Sequence, residues 1–289
     1  MRFRAGKLLL ALVAIAALGA GSGCATSFLY DRADRFANRW VGDYLELDPA
    51  QQATFDTALA DLHAWHRREQ LPAYAAWLRS AAALLATGGP YAEHELRARS
   101  SELGDFWRQL AAAGAPALTG IGADLSDAQV ESLLQGLEEA RAKELEYAAA
   151  HPDSYHRQRS VRSMERFLKR WTGRMTAGQR AMIGDWAASL EPARVASLEN
   201  RAGWIAALQR ALERREDPAA LRAAAERLFV APSSRWEPEY AALVERNAAR
   251  TTAFMAEFLA GLDERQRQRA VERLERLAAE FEQLAASGG

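Results

Sequence analysis

Apolar residues recur every three or four positions along most of the chain, the spacing of one face of an α-helix. The first stripe includes Phe55, Leu59 and Leu62 and resumes at residues 78–85 after Pro72. Seven others occupy residues 96–110, 130–145, 164–171, 182–190, 195–212, 240–259 and 271–284. The alternation of apolar and polar residues that is typical of strands is nearly absent. The sequence therefore predicts an all-α protein of about eight helices, arranged as a multi-helix bundle or as an elongated array of helical hairpins.

Segments rich in glycine, proline or small polar residues separate the stripes. They are residues 88–90, 114–123, 151–152, 172–173, 191–192, 217–218 and 231–238, with Pro72 as a further interruption inside the first stripe. The widest of them, 114–123, is the best candidate for a boundary. It does not divide the chain into independent domains, and residues 41–289 are predicted to form a single all-helical domain.

The same short pattern begins four of the predicted helices. An apolar residue, a capping residue, two variable positions and a glutamine occur at 47–51, 125–129, 175–179 and 262–266. In such a capping box the cap side chain accepts from the amide three residues on, and the glutamine returns to the amide of the cap. The four patterns are 78, 50 and 87 residues apart, which excludes a regular solenoid period.

These four segments resemble the L-T-x-x-Q motif of small all-helical periplasmic stress chaperones. The resemblance implies a chaperone-like role. The alternative is purely structural, because a capping box can begin a helix in any helical protein.

The first 24 residues have the pattern of a bacterial export signal. Arg2, Arg4 and Lys7 precede an uninterrupted run of apolar or small residues at 8–20, which is too short to span a membrane. Three small residues then lead to Cys24, the only cysteine. This arrangement resembles the bacterial lipobox, which implies a signal peptide at 1–23, lipid attachment at Cys24, and an anchor and tether at 24–40. Ordinary secretory cleavage and an uncleaved anchor are the alternatives.

The residue after the cysteine is alanine rather than aspartate, and in lipoproteins of this kind that implies the outer membrane, with the protein facing the periplasm. Loss of residues 1–23 would leave 34 basic against 38 acidic side chains, a formal charge of −4. A generally basic nucleic-acid-binding protein is therefore disfavoured.

A second resemblance covers most of the mature chain. Residues 65–72, Trp-His-Arg-Arg-Glu-Gln-Leu-Pro, and the stretch from Arg162 through Trp171 to Trp186 are similar to an uncharacterised proteobacterial lipoprotein family. Members of that family carry Ser-x-Leu-Tyr after the anchored cysteine, and Ser27-Phe28-Leu29-Tyr30 follows Cys24 here. The resemblance implies location and helical class, but no reaction.

The sequence offers no strong candidate for catalysis. His63 and His66 could share a metal ion, yet neighbouring acidic residues do not complete a familiar metal motif, so a packed histidine pair is favoured and no metal or cofactor is predicted. A Gly-x-Ser-x-Gly nucleophile elbow and a phosphate-binding glycine loop are also missing from the sequence. We therefore predict that the protein is not an enzyme; a site assembled only by tertiary packing is the alternative.

One helix has an uneven distribution of charge. Between residues 157 and 174 seven basic side chains face a single glutamate, and four of them lie on a common helical face: Arg159, Arg162, Arg166 and Arg170. This face could pair with glutamates of a neighbouring helix, or it could bind an acidic partner, an anionic lipid surface or a client protein.

The leading hypothesis is a lipid-tethered helical protein that binds other envelope proteins in a chaperone-like or assembly role. A structural tether with one fixed partner is the alternative. The sequence does not indicate the oligomeric state.

Overall fold

The structure, a computed structural model, describes Tyr30 and residues 33–287, without the side chains of residues 33, 34, 36 and 40. Within these residues all regular secondary structure is helical, which confirms the predicted all-α class. None of the helices in this part of the chain has a long enough apolar stretch to cross a membrane. The predicted signal peptide and Cys24 lie outside the described residues.

The helices follow one another with short connections. They are α1 (Ala33–Gly42), α2 (Pro49–Trp65), α3 (Leu71–Ala86), α4 (Glu93–Ala123), α5 (Asp127–Ala149), α6 (Asp153–Thr172), α7 (Ala177–Ser189), α8 (Arg194–Leu212), α9 (Pro218–Ala225), α10 (Pro238–Ala260) and α11 (Glu264–Ala286). Two π-helical turns, His66–Gln70 and Glu226–Val230, follow α2 and α9, and a 3-10 turn spans Pro232–Arg235.

All eight predicted helices are present, and the described chain contains further helical segments. Helix α1 occupies part of the predicted tether, and α9 is too short to give a periodic stripe. The interruption expected at Pro72 is wrong, because the π turn joins α2 directly to α3. A π turn uses hydrogen bonds five residues apart, and Pro72 lies in the first turn after it, where a missing N–H is tolerated.

The boundary suggested at residues 114–123 is also wrong, because α4 continues through this segment with Pro116 inside it. Two of its three glycines, Gly114 and Gly122, are buried inside the helix. A methyl group added to Gly114 would lie 3.6 Å from Leu62, and one added to Gly122 would lie 3.7 Å from Leu212 and Leu221. These are ordinary van der Waals distances, so a small side chain would also fit at either position, and the two glycines mark neither a break nor an obligatory close approach.

The buried apolar residues form three clusters along the molecule. The first joins α3 and α11 and includes Tyr30, Tyr74 and Phe281. The second, between α6, α7, α10 and α11, contains Phe258, whose side chain is completely buried. The third contains residues of α5, α8 and α9. Contacts between α3 and α11, from opposite ends of the sequence, close the fold.

All four predicted capping boxes are formed. Asp48, Ser126, Thr176 and Asp263 each accept from the amide three residues on, and each following glutamine accepts from the amide of the cap. The apolar residue before each cap packs into a core cluster: Leu47 and Leu125 into the third, Met175 and Leu262 into the second.

The four helix starts also meet in two pairs, which the sequence did not indicate. Gln51 and Gln129 hydrogen-bond each other through their side-chain amides, with N–O distances of 3.1 and 2.6 Å. Gln51 also donates to the backbone carbonyl of Asp124, and Gln129 to that of Glu46, both at 2.7 Å. Each carbonyl lies two residues before the capping residue of the other helix. Helices 78 residues apart are thus joined by their first turns.

The second pair repeats this arrangement in the other half of the chain. Gln179 and Gln266 exchange amide hydrogen bonds of 2.8 and 3.0 Å. Gln179 donates to the carbonyl of Gly261 at 3.4 Å, and Gln266 to that of Arg174 at 2.8 Å. Both glutamines are buried, and every donor and acceptor of their amides is used, as buried polar groups require.

Candidate functional site

Helix α6 carries the basic face predicted from the sequence. It begins after Pro152 and ends at Gly173, whose φ of +84° a residue with a side chain would rarely adopt. Leu168 and Thr172 are buried and fix the inner side of the helix. The predicted basic side chains are consequently turned away from the core.

The four predicted arginines are not equivalent. Arg162 and Arg166 are exposed, and neither forms an ion pair with an acidic side chain in the described part of the chain. One interpretation of the sequence paired this basic face with glutamates of a neighbouring helix. Among the described residues, Arg162 and Arg166 do not form such pairs. Arg159 and Arg170 are half-buried and have other contacts.

Arg159 belongs to an aromatic corner between α5 and α6. It donates a hydrogen bond of 3.4 Å to the hydroxyl of Tyr147, which is itself 2.9 Å from the hydroxyl of Tyr155. The hydrogen bond from Tyr147, together with the charges of Arg159 and Arg162, lowers the pKa of Tyr155. Arg159 therefore lies at the end of the basic face and stabilises a phenol pair.

Helix α11 adds basic residues to this face that the sequence pattern of α6 does not predict. The guanidinium carbon of Arg273 lies 5.8 Å from the centre of the Trp171 ring, and Arg273 donates to the carbonyl of Arg170 at 2.8 Å. Burial and the nearby charges of Arg170, Arg276 and Arg269 lower the pKa of Arg273. The arginines of α11 recur at helical spacing. That spacing does not predict a contact with α6, which lies about 100 residues earlier in the sequence.

Two aromatic side chains of α6 extend this group: Trp171, which contacts Arg273 of α11, and Phe167, one turn before it. Phe167 is 51% exposed, an unusual state for a large apolar side chain, and its ring lies 6.3 Å from that of Trp171. We define the basic-aromatic surface by all its members: Arg162, Arg166, Phe167, Lys169, Arg170 and Trp171 of α6, and Arg269, Arg273 and Arg276 of α11.

The histidines considered as metal ligands lie elsewhere, in the first cluster. The hydroxyl of Tyr30 is 2.9 Å from Nδ1 of His66, and its ring is tilted by 37° against that of His63, with centroids 4.5 Å apart. Burial, with a smaller contribution from the charge of His63, lowers the pKa of His66 to about 4. His66 is therefore neutral near pH 7 and can hydrogen-bond Tyr30.

The π turn places a second polar side chain in this cluster. Gln70 is almost fully buried and donates to Gln109 of α4 at 2.9 Å. Within the residues that the structure describes, no group of three His, Cys, Asp or Glu side chains could hold a metal ion.

Comparison with known proteins gives one match. Residues 43–241 match a family model described as "Family of unknown function (DUF6279)". The chain belongs to this family. No curated protein and no solved structure matches it.

The family span contains the α6 half of the basic-aromatic surface, the π turn with His66, and three of the four capping boxes. Helix α11 and Tyr30 lie outside the span. The family description assigns no activity to any of these residues.

Proposed function

We propose that this protein is a lipid-anchored component of the bacterial envelope that binds other envelope proteins in a chaperone-like or assembly role. In this proposal Cys24 carries the lipid, the body faces the periplasm from the outer membrane, and partners bind the basic-aromatic surface. The observation that carries partner binding is the exposed ring of Phe167 on the same helix as the exposed Arg162 and Arg166. Exposed aromatic and arginine side chains together are typical of protein interaction sites.

The position of Tyr30 bears on the anchor. Its side chain is 5% exposed and packs in the first cluster, six residues after Cys24. Six residues span at most about 20 Å when fully extended. An acylated Cys24 would thus hold the body close to the bilayer rather than on a long tether.

The anchor has a direct test. Cys24→Ser is expected to abolish labelling by a palmitate analogue and to move the protein from the membrane fraction to the soluble periplasmic fraction. Several acyl chains give a stable anchor, and without them this chain has lost its proposed attachment. Cell fractionation with Ser22→Ala as the matched control would contradict the proposal if both variants stayed in the membrane.

Partner binding is tested with the mature chain carrying Cys24→Ser, mixed with a chemically unfolded envelope protein. We expect it to suppress aggregation, measured by light scattering. Arg162→Glu with Arg166→Glu should require about tenfold more protein for the same effect, because electrostatic contacts at an interface can contribute about 1.4 kcal/mol or more.

The matched control is Arg210→Glu with Arg227→Glu, which makes the same change of charge at two other exposed positions. Equal loss of aggregation suppression in both double variants would show that the overall charge of the protein, and not the basic-aromatic surface, is responsible. No suppression by the unchanged protein would contradict the chaperone role.

The second candidate is a structural tether, which the docked Tyr30 favours because it restricts the reach of the body. A photoreactive residue at position 167 in intact cells separates the two. A tether should give one crosslinked protein in fixed proportion, and a chaperone should give many.

A further inference from the structure

We infer that the basic-aromatic surface recognises a narrow acidic segment of a partner protein that carries an apolar side chain. The inference rests on the proposed function and specifies the chemistry of the partner at that site. Two helices from distant parts of the chain supply the surface, so it exists only in the folded protein.

The first argument is the arrangement of cations. The surface contains seven basic residues of α6 and α11, six of them arginines, and Arg273 of α11 joins the two helices through the carbonyl of Arg170. The guanidinium group presents several donors in a fixed plane and binds carboxylates in two-point contacts. Because the mature chain is acidic, this local excess of positive charge is suited to an acidic ligand.

The second argument is the apolar contact. Phe167 is exposed, and Trp171 beside it is held by Arg273 and the first cluster. An apolar residue between carboxylates of a partner could pack on Phe167 while the arginines bind the flanking charges. Such contacts in the middle of an interface dominate binding energy.

The third argument favours a narrow segment over a membrane surface. Acidic residues border the cations on both helices: Glu165 on α6, and Glu272 and Glu280 on α11. Glu272 lies 3.9 Å from Arg276, and the charge of Glu280 acts on Arg273. An anionic bilayer would bring these carboxylates against its own charge, whereas a segment lying along the cations would avoid them.

The experiment uses the mature chain with Cys24→Ser and a fluorescently labelled peptide of Glu and Asp residues around one Phe. We expect saturable binding by fluorescence anisotropy that weakens as NaCl is raised, because salt screens exposed charges. Arg162→Glu with Arg166→Glu on α6, and Arg276→Glu on α11, should each weaken the affinity by about tenfold.

Phe167→Ala should weaken binding of the Phe peptide about fivefold and leave a peptide with Ala in its place unaffected, because only the first makes the apolar contact. Val195→Ala, at an apolar residue with 56% exposure, is the matched control and should change nothing. Circular dichroism of every variant checks that the helices are retained.

Three results would overturn the inference. The first is equal affinity in the surface variants and in Arg210→Glu with Arg227→Glu. The second is loss in the α6 variant alone, which would remove α11 from the site. The third is sedimentation with phosphatidylglycerol vesicles in place of peptide binding, which would identify a membrane surface. Failure of the proposed function can be distinguished from failure of this inference. In that case the peptide would still bind the purified protein, but no crosslinked partner would be found in cells.

Discussion

Gln266→Ala is expected to lower the free energy of unfolding by about 3 kcal/mol. The change removes the hydrogen bonds of Gln266 with Gln179, with the carbonyl of Arg174 and with the amide of its own cap. Their loss takes one hydrogen-bond partner from each polar atom of the buried Gln179 amide and one from the carbonyl of Arg174, at about 0.5–1.5 kcal/mol for each lost bond, and weakens the helix start. Urea unfolding followed by circular dichroism measures the difference.

Gln268→Ala is the matched control, because it makes the same substitution at an exposed position of the same helix. It should change stability by less than about 0.5 kcal/mol. Gln179→Ala combined with Gln266→Ala should cost less than the sum of the single changes, since both remove the same contacts. Additive effects would mean that the two glutamines do not act as a pair.

Lowering the pH from 7 to 5 is expected to reduce stability through His66. Its pKa is about 4 when folded and about 6.5 when unfolded, so the unfolded chain binds more protons between these values. Stability is therefore complete above pH 6.5 and falls as the pH drops toward 4. The difference in pKa corresponds to about 2 kcal/mol between pH 7 and pH 5.

His66→Gln should remove this part of the pH dependence, whatever its effect on stability at pH 7. His94→Gln, at an exposed histidine, should retain it. The comparison is made by urea unfolding at both pH values, and a nuclear magnetic resonance titration of the imidazole provides a second measurement. If the imidazole of His66 titrated near pH 6.5, the buried hydrogen bond with Tyr30 would not account for the change.

The helical class and the helix starts could be predicted locally because their causes are local. Periodic apolar residues specify an amphipathic helix, and a capping box satisfies its own first turn. The predicted breaks at Pro72 and at residues 114–123 were wrong because tertiary packing, rather than local composition, determines whether the helix continues there. Gly114 and Gly122 are typical of a break, yet both are buried inside α4, and the π turn accommodates Pro72.

The candidate site likewise contains residues that the sequence predicts and residues that only the structure reveals. Spacing alone placed Arg162 and Arg166 on one face of a helix, and the structure leaves both exposed. The contribution of α11 could not be predicted, since nothing in the local pattern of Arg269 or Arg273 refers to a helix 100 residues earlier.

The sequence by itself determined that the chain is helical, where most helices begin and end, and that one helix has a basic face. Those properties depend on side chains within a few turns of one another. Only the tertiary structure decided that the four glutamines meet in two pairs, that Tyr30 packs on His66, and that two basic helices share a surface around Trp171. These contacts join distant segments, and they form because burial of three apolar clusters brings those segments together.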